Sequence, residues 1–268
     1  MNRAPHCPEL LPQVSADRLE RLYRAYNRRE YVHPDPLEFL YRYPDPAERE
    51  IVALVAASLA YGRVARILTS VSDVLERMQP SPRYFVARTS EAGMQKTFGG
   101  FVHRFATGDA LAALLAGVRR ILQRHGSLCR LFNSSLSPGD DSVVPALTAF
   151  VRILADACPA CPGHLLPRPE RGSACKRFHL FLRWMVRCDA VDPGGWEGVS
   201  PSLLVVPLDV HMHRIGRILG LTRRRAADLR TAREMTEGFR KVAPGDPVRY
   251  DFCLSRLGIR DDLSLDDL

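Results

Sequence analysis

Helix starts and stops punctuate this chain at short intervals, and that most constrains what it can fold into. Only one short stretch, LLVVP (203–207), reads as strand. Five residues standing alone cannot build a sheet. Ser15 can cap a segment running to about Tyr31. Asp45-Pro46-Ala47-Glu48 is an N-cap, a first-turn proline and a capping-box acid ahead of the apolar run from Ile51 to about Ala60. Gly62 separates that run from a helix ending near Met78. Further helices are expected from Thr107 to Gly126, Asp140 to Ala157, Ala174 to Arg187, and Asp209 to Leu219 before Gly220. Asp246-Pro247 opens the last, which Gly258 closes. The pattern predicts an all-α protein.

The chain has 268 residues, 46% hydrophobic and 25% charged, the balance of a globular domain. A Pro-rich segment (1–13) is expected to be loose, residues 14–260 to form the helical domain, and residues 261–268 to be an acidic tail. A Pro-, Cys- and Gly-rich stretch (157–173) is expected to be a long loop or a lobe boundary. No apolar run reaches the roughly 18–20 residues of a membrane span, and the N-terminus lacks a secretory h-region. Seven scattered cysteines, an odd number, fit a reducing cytoplasm better than a disulfide framework.

The net charge is +8, compatible with a polyanionic partner. Of 38 basic residues only Lys96, Lys176 and Lys241 are lysine. An amine can deprotonate and attack an electrophile; a guanidinium cannot. Lys176 falls in the first turn of its predicted helix, where the helix dipole and neighbouring arginines disfavour an ammonium. At about 100° per residue, Lys176, Leu180, Arg183 and Arg187 share one stripe with His179 at its edge, and Phe178, Phe181, Leu182 and Met185 face the core. The stripe is therefore expected to be exposed, and the plain alternative for Lys176 is a solvated basic face. Asp209 follows an apolar extended stretch and opens a helix. It is either a simple N-cap or a carboxylate that handles a proton or a developing cation. His211 and His213, two apart, face different ways and make a poor metal pair.

LLPRPERGSACK (165–176) and VPLDVHMHRI (206–215) together resemble the helix-hairpin-helix DNA glycosylases, especially the archaeal and eukaryotic 8-oxoguanine types. In that family an L-P-G-V-G-x-K hairpin supplies a Schiff-base lysine and a V-P-V-D-x-H segment an essential aspartate. The lysine position falls on Lys176 and the aspartate position on Asp209, 33 residues later, a spacing similar to the archaeal enzymes. SLAYGRVARI (58–67) resembles the segment that fills the gap left by an extruded base, which places Tyr61, Arg63 and Arg66 at a DNA-facing turn. The hairpin likeness makes Gly172 a phosphate contact, with Ala174 standing where the pattern has its second glycine. The chain also resembles, over nearly its whole length, a bacterial protein family of unknown function, through DPLEFLYRYPDPAEREIV, SLAYGRV, SACKRFHLFLRWMVR and PLDVHMHRI.

The glycosylase resemblance implies a two-lobed all-α fold with a cleft between the lobes. It implies base-excision repair of an oxidised purine such as 8-oxoguanine, with AP lyase activity. Lys176 and Asp209 would be catalytic, and Tyr61, Arg63, Arg66, Gly172, Arg183, Arg187 and His211 would contact DNA. No cofactor or metal is required. The partner is double-stranded DNA with a damaged base, and the protein is expected to be a cytoplasmic monomer. Only Cys253 follows Asp209, so the family's four-cysteine iron–sulfur cluster is not expected. Tyr61, Trp184, Trp196, Tyr250 and Phe252 are candidates to stack on a flipped base, with core packing the alternative for each. Two other readings stand beside this one. They are a nucleic-acid-binding module without turnover, and a cysteine-metal interaction protein resting on Cys158-Pro-Ala-Cys161.

Overall fold

The structure, a computed structural model, describes residues 15–259. The N-terminal segment (1–13) and the acidic tail (261–268) lie outside the described residues. The fold is all-α. In chain order come α1 (Ala16–Tyr26), α2 (Pro46–Ser58), α3 (Val64–Arg77), α4 (Pro82–Arg88) and α5 (Glu91–Thr97). A hairpin of β1 (Val102–His103) and β2 (Ala106–Thr107) follows, then α6 (Gly108–His125), α7 (Leu128–Asn133) and α8 (Val144–Ala157). The chain ends in α9 (Lys176–Val186), α10 (Val210–Ile218), α11 (Leu229–Arg240) and α12 (Asp251–Ile259). No helix among the described residues is long and apolar enough to cross a membrane.

Local chemistry sets most of these ends. Asp45 Oδ1 accepts the Ala47 amide at 2.9 Å to cap α2. Thr107 caps α6, and Gly126 closes it at φ +82°, a conformation glycine adopts without strain. Glu48 does not complete a capping box. It reaches α4 instead, accepting the Ser81 hydroxyl at 2.5 Å and the Arg83 amide at 2.8 Å. One acid thereby locks two helix starts together.

Several expectations fail for tertiary reasons. The LLVVP stretch is not a strand. It runs extended through the core, where the Val206 amide donates to Thr236 Oγ1 at 3.0 Å rather than to a neighbouring strand. The paired strands are at 102–107, too short to show a period of two. The first helix stops at Tyr26, because Asn27 turns inward and donates to Asp189 Oδ2 at 3.1 Å. Asp246-Pro247 precedes the last helix by several residues, and Asp246 serves Arg187.

Helix α2 runs through the middle, with every residue from Glu50 to Ser58 buried. It packs against α9, α4 and the 3₁₀ turn Pro36–Arg42, while α6 packs against α4, α5, α7 and α8. Each fully buried Leu, Val or Phe here contributes about 1.5–3 kcal/mol. Glu50 is the polar tie at this centre. It accepts the Leu128 and Cys129 amides that open α7, and Trp196 Nε1, each at 3.1 Å. The VDPGGW turn (191–196) is thereby structural. Arg49 Nη1 also holds it through the Pro193 and Gly194 carbonyls at 3.1 and 2.8 Å.

Candidate functional site

The start of α9 and the start of α10 meet. Lys176 Nζ lies 3.0 Å from Asp209 Oδ2, and the two side chains remain 33% and 25% exposed. Each is there for a local reason. Lys176 is the first residue of α9, behind a turn in which Gly172 (φ +76°) and Cys175 (φ +45°) are both left-handed. The Gly172 carbonyl accepts the Leu229 amide at 3.1 Å, which fixes this turn against the start of α11. Asp209 ends the buried run Leu204–Leu208 and caps α10, its Oδ1 accepting the Met212 amide at 2.8 Å. One oxygen therefore caps a helix while the other faces the lysine. Burial pushes the Asp209 carboxyl up, but the Lys176 ammonium, the Met212 amide and His211 outweigh it and hold the group below the usual carboxylate range. The arrangement sets a primary amine against an ionised carboxylate at a solvent-accessible edge.

Tyr61 sits beside this pair through Arg177. The Arg177 guanidinium lies 5.1 Å from the Tyr61 ring centroid and donates to the Ser58 carbonyl at 2.7 Å and to the His164 carbonyl. It thus ties the end of α2, the Tyr61 turn and the 158–175 loop to the residue after Lys176. The Tyr61 hydroxyl donates to the His103 carbonyl at 3.0 Å, and the buried His103 ring contacts the Tyr61 carbonyl and Ser70. Arg63 and Arg66 are exposed at the start of α3, His211 is exposed on α10, and Gly172 lies exposed in its turn.

Arg183 and Arg187 are a correction. Beyond Lys176 and Leu180 the stripe expected to be exposed turns interior, and both arginine side chains are 3% exposed. Arg183 pairs with Asp192 at 3.1 Å and with Asp251. Arg187 pairs with Asp189 at 2.8 Å, Asp246 at 2.9 Å, and Asp192. The 188–192 loop, Asp246 of the α11–α12 connection and the start of α12 close over this face and supply the carboxylates. Tyr23 and Asn27 of the α1 region complete the cluster by donating to Asp189. These arginines hold elements together and are not accessible to a phosphate. The core face of α9 is as periodicity predicts, with Phe178, Phe181, Leu182 and Met185 buried.

His179, on the same interior stripe, gives a pH prediction. Neither ring nitrogen has a partner, and burial pushes its pKa down to about 4 from 6.5. The folded state keeps it neutral while the unfolded chain takes up a proton first. Its contribution is fully present above about pH 6.5 and is lost as pH falls towards about 4, at up to about 1.4 kcal/mol per pH unit. Urea unfolding at pH 7 and pH 5 should show a larger loss for the wild type than for His179→Phe. Equal losses would contradict this.

Of the stacking candidates, Trp184, Trp196, Tyr250 and Phe252 are buried in the core, and only Tyr61 is partly open. Sequence reasoning missed Arg104 and Phe105 at the tip of the β1–β2 hairpin. Phe105 is 69% exposed, its ring edge-on to His164 with centroids 6.4 Å apart. Arg104 (φ +54°) packs against Gly62, where an added Cβ would stand 2.9 Å from its Cδ. Nothing in the chain's periodicity separates Phe105 from a core phenylalanine. The Cys158 and Cys161 thiols are free; Cys158 donates to the Leu154 carbonyl at 2.8 Å, and the neighbouring Cys161 thiol together with burial pushes the Cys158 thiol up. Among the described residues no three His, Cys, Asp or Glu side chains are grouped to hold a metal ion.

The fold and this edge define an all-α protein with a lysine–aspartate pair at two adjoining helix starts. The chain belongs to the family described as Protein of unknown function (DUF2400), whose model matches residues 35–260. That span takes in both members of the pair and the Tyr61 turn. Searches of curated proteins and of solved structures gave no match.

Proposed function

We propose that this protein is a base-excision DNA glycosylase with AP lyase activity, acting through Lys176 on an oxidised purine such as 8-oxoguanine in duplex DNA. The observation that carries the reading is the 3.0 Å contact between Lys176 and Asp209. They are the two residues singled out by the glycosylase likeness, from segments 33 positions apart. On this reading the helices form the family's two-lobed helix-hairpin-helix architecture, with the pair at the cleft. Lys176 gives its ammonium proton to Asp209, and the freed amine forms a bond to C1′ as the C1′–base bond breaks and the base leaves with the electron pair. Loss of the nitrogen's proton and opening of the sugar ring give an imine. Asp209 takes part in proton transfer and stabilises positive charge on the sugar. Tyr61, Arg63, Arg66, Gly172 and His211 are the DNA contacts. The reaction needs no cofactor, and the protein acts as a cytoplasmic monomer. A binding module without turnover is the second reading, favoured by Ala174 at the hairpin's second glycine position.

Asp209→Asn separates the carboxylate's two roles. Asparagine caps helices about as well as aspartate, so stability should stay within about 1 kcal/mol of wild type and duplex affinity should persist. Turnover should fall by at least about 100-fold, the scale of a lost acid–base group. Base release from an 8-oxoguanine duplex by a folded Asp209→Asn protein is the measurement. Wild-type rates would remove the carboxylate from the mechanism.

A further inference from the structure

Apart from His211, the outward face of α10 has no role in the site above, and its composition is specific. Val210, His211, Arg214, Arg217 and Ile218 are all exposed, Val210 at 73% and Ile218 at 52%. At about 100° per residue they fall within an arc of about 120°. The inward face is already filled: Met212, Ile215 and Gly216 are buried, α12 packs on the helix, and a Cβ at Gly216 would collide with Met235. Arg214 and Arg217 make no ion pair or side-chain hydrogen bond with any described residue. The face carries no acid. Asp209 at its head is already paired with Lys176.

We infer that this face of α10 is a track for a nucleic-acid phosphate backbone, leading away from the Lys176–Asp209 pair. The inference rests on the nucleic-acid part of the proposed function, not on its chemistry. Charge complementarity identifies the occupant: the Arg214 and Arg217 guanidiniums face outward with no described acid to neutralise them, and the polar His211 ring stands on the same face. The two apolar residues stand at opposite ends of the stripe, about 12 Å apart along the helix. They do not form the contiguous apolar core a protein partner would bury. At one phosphate per about 3.4 Å of axis on each strand, that length spans about three phosphates.

The test is fluorescence anisotropy with an unmodified DNA duplex, titrated from low to physiological salt. The proteins are wild type, the double variant Arg214→Gln/Arg217→Gln and the control Arg88→Gln/Arg124→Gln. Arg88 and Arg124 are likewise exposed, on α4 and α6, with no ion pair to any described residue. The α10 double variant should lose at least about tenfold in affinity at low salt, and its log–log salt slope should become shallower by about two. The control should keep the wild-type slope. Borohydride trapping on an abasic duplex runs in parallel. Trapping by wild type with an unchanged slope in the α10 variant would overturn the track and leave the glycosylase reading standing. Loss of slope with no trapping by any protein would keep the track and remove the chemistry. A wild-type protein that binds no duplex would overturn both. Capture of poly-glutamate through Arg214 and Arg217 without duplex binding would overturn the track in favour of an acidic protein partner.

Discussion

Arg183→Ala is expected to lower the unfolding free energy by about 3–5 kcal/mol, the cost of breaking a buried ion pair by removing one partner. The guanidinium is enclosed between Asp192 and Asp251, and its neighbour Arg187 faces Asp189, Asp192 and Asp246. Two arginines already face four carboxylates there. Deleting Arg183 leaves buried carboxylate charge without compensation: burial, with Asp209 and Asp192 nearby, already pushes Asp251 up to about 6 against the opposing pull of Arg183. Arg214→Ala, on the open face of α10, should cost no more than about 0.5 kcal/mol. Urea unfolding of the two variants against wild type measures both. Wild-type stability in Arg183→Ala, together with weakened DNA binding, would contradict the interior placement and restore an exposed stripe.

Replacing Lys176 should have the largest functional effect. Lys176→Arg keeps the positive charge beside Asp209 but cannot form an imine, because guanidinium does not deprotonate in proteins. Lys176→Gln removes both charge and amine. Both should reduce base release and strand cleavage on an 8-oxoguanine duplex by at least about 10³-fold, the scale of removing a nucleophile. The side chain is one-third exposed, so the fold should survive either change. Lys96→Arg and Lys241→Arg alter exposed lysines away from the pair and should act as wild type. Residual turnover in Lys176→Gln comparable to wild type would assign the chemistry to another group. Equal activity in Lys176→Arg and wild type would reduce Lys176 to a charge.

The residues that could be read from the chain are those whose placement is local. Asp209 as an N-cap, Thr107 and Gly126 as the ends of α6, and the apolar side of α9 follow from capping chemistry and a 3.6-residue period. The Lys176–Asp209 contact was legible only through a resemblance, since no local rule joins residues 33 apart. Arg183 and Arg187 were misplaced for a related reason. A helix stripe of basic residues looks the same in the sequence whether water or carboxylates face it, and here Asp189, Asp192, Asp246 and Asp251 arrive from other parts of the chain. The short helices α4, α5 and α7 offer too few turns for a period. Helix α4 depends on Glu48 from α2 to hold its first turn, a contact no window of neighbouring residues contains. Phe105 escaped notice because its exposure is set by the hairpin that Tyr61 and His103 brace from below.

The central claim is that the amine beside Asp209 forms a covalent bond to DNA, and borohydride trapping with peptide mapping tests it most directly. Wild-type protein is incubated with an 8-oxoguanine duplex and with an abasic duplex in the presence of borohydride. Hydride converts any imine to a stable secondary amine. The cross-linked protein is then digested and the modified peptide sequenced by mass spectrometry. The account predicts a cross-link carried by Lys176 alone, absent from Lys176→Gln. A cross-link on Lys96, Lys241 or the N-terminal amine, or none with either duplex, would contradict it.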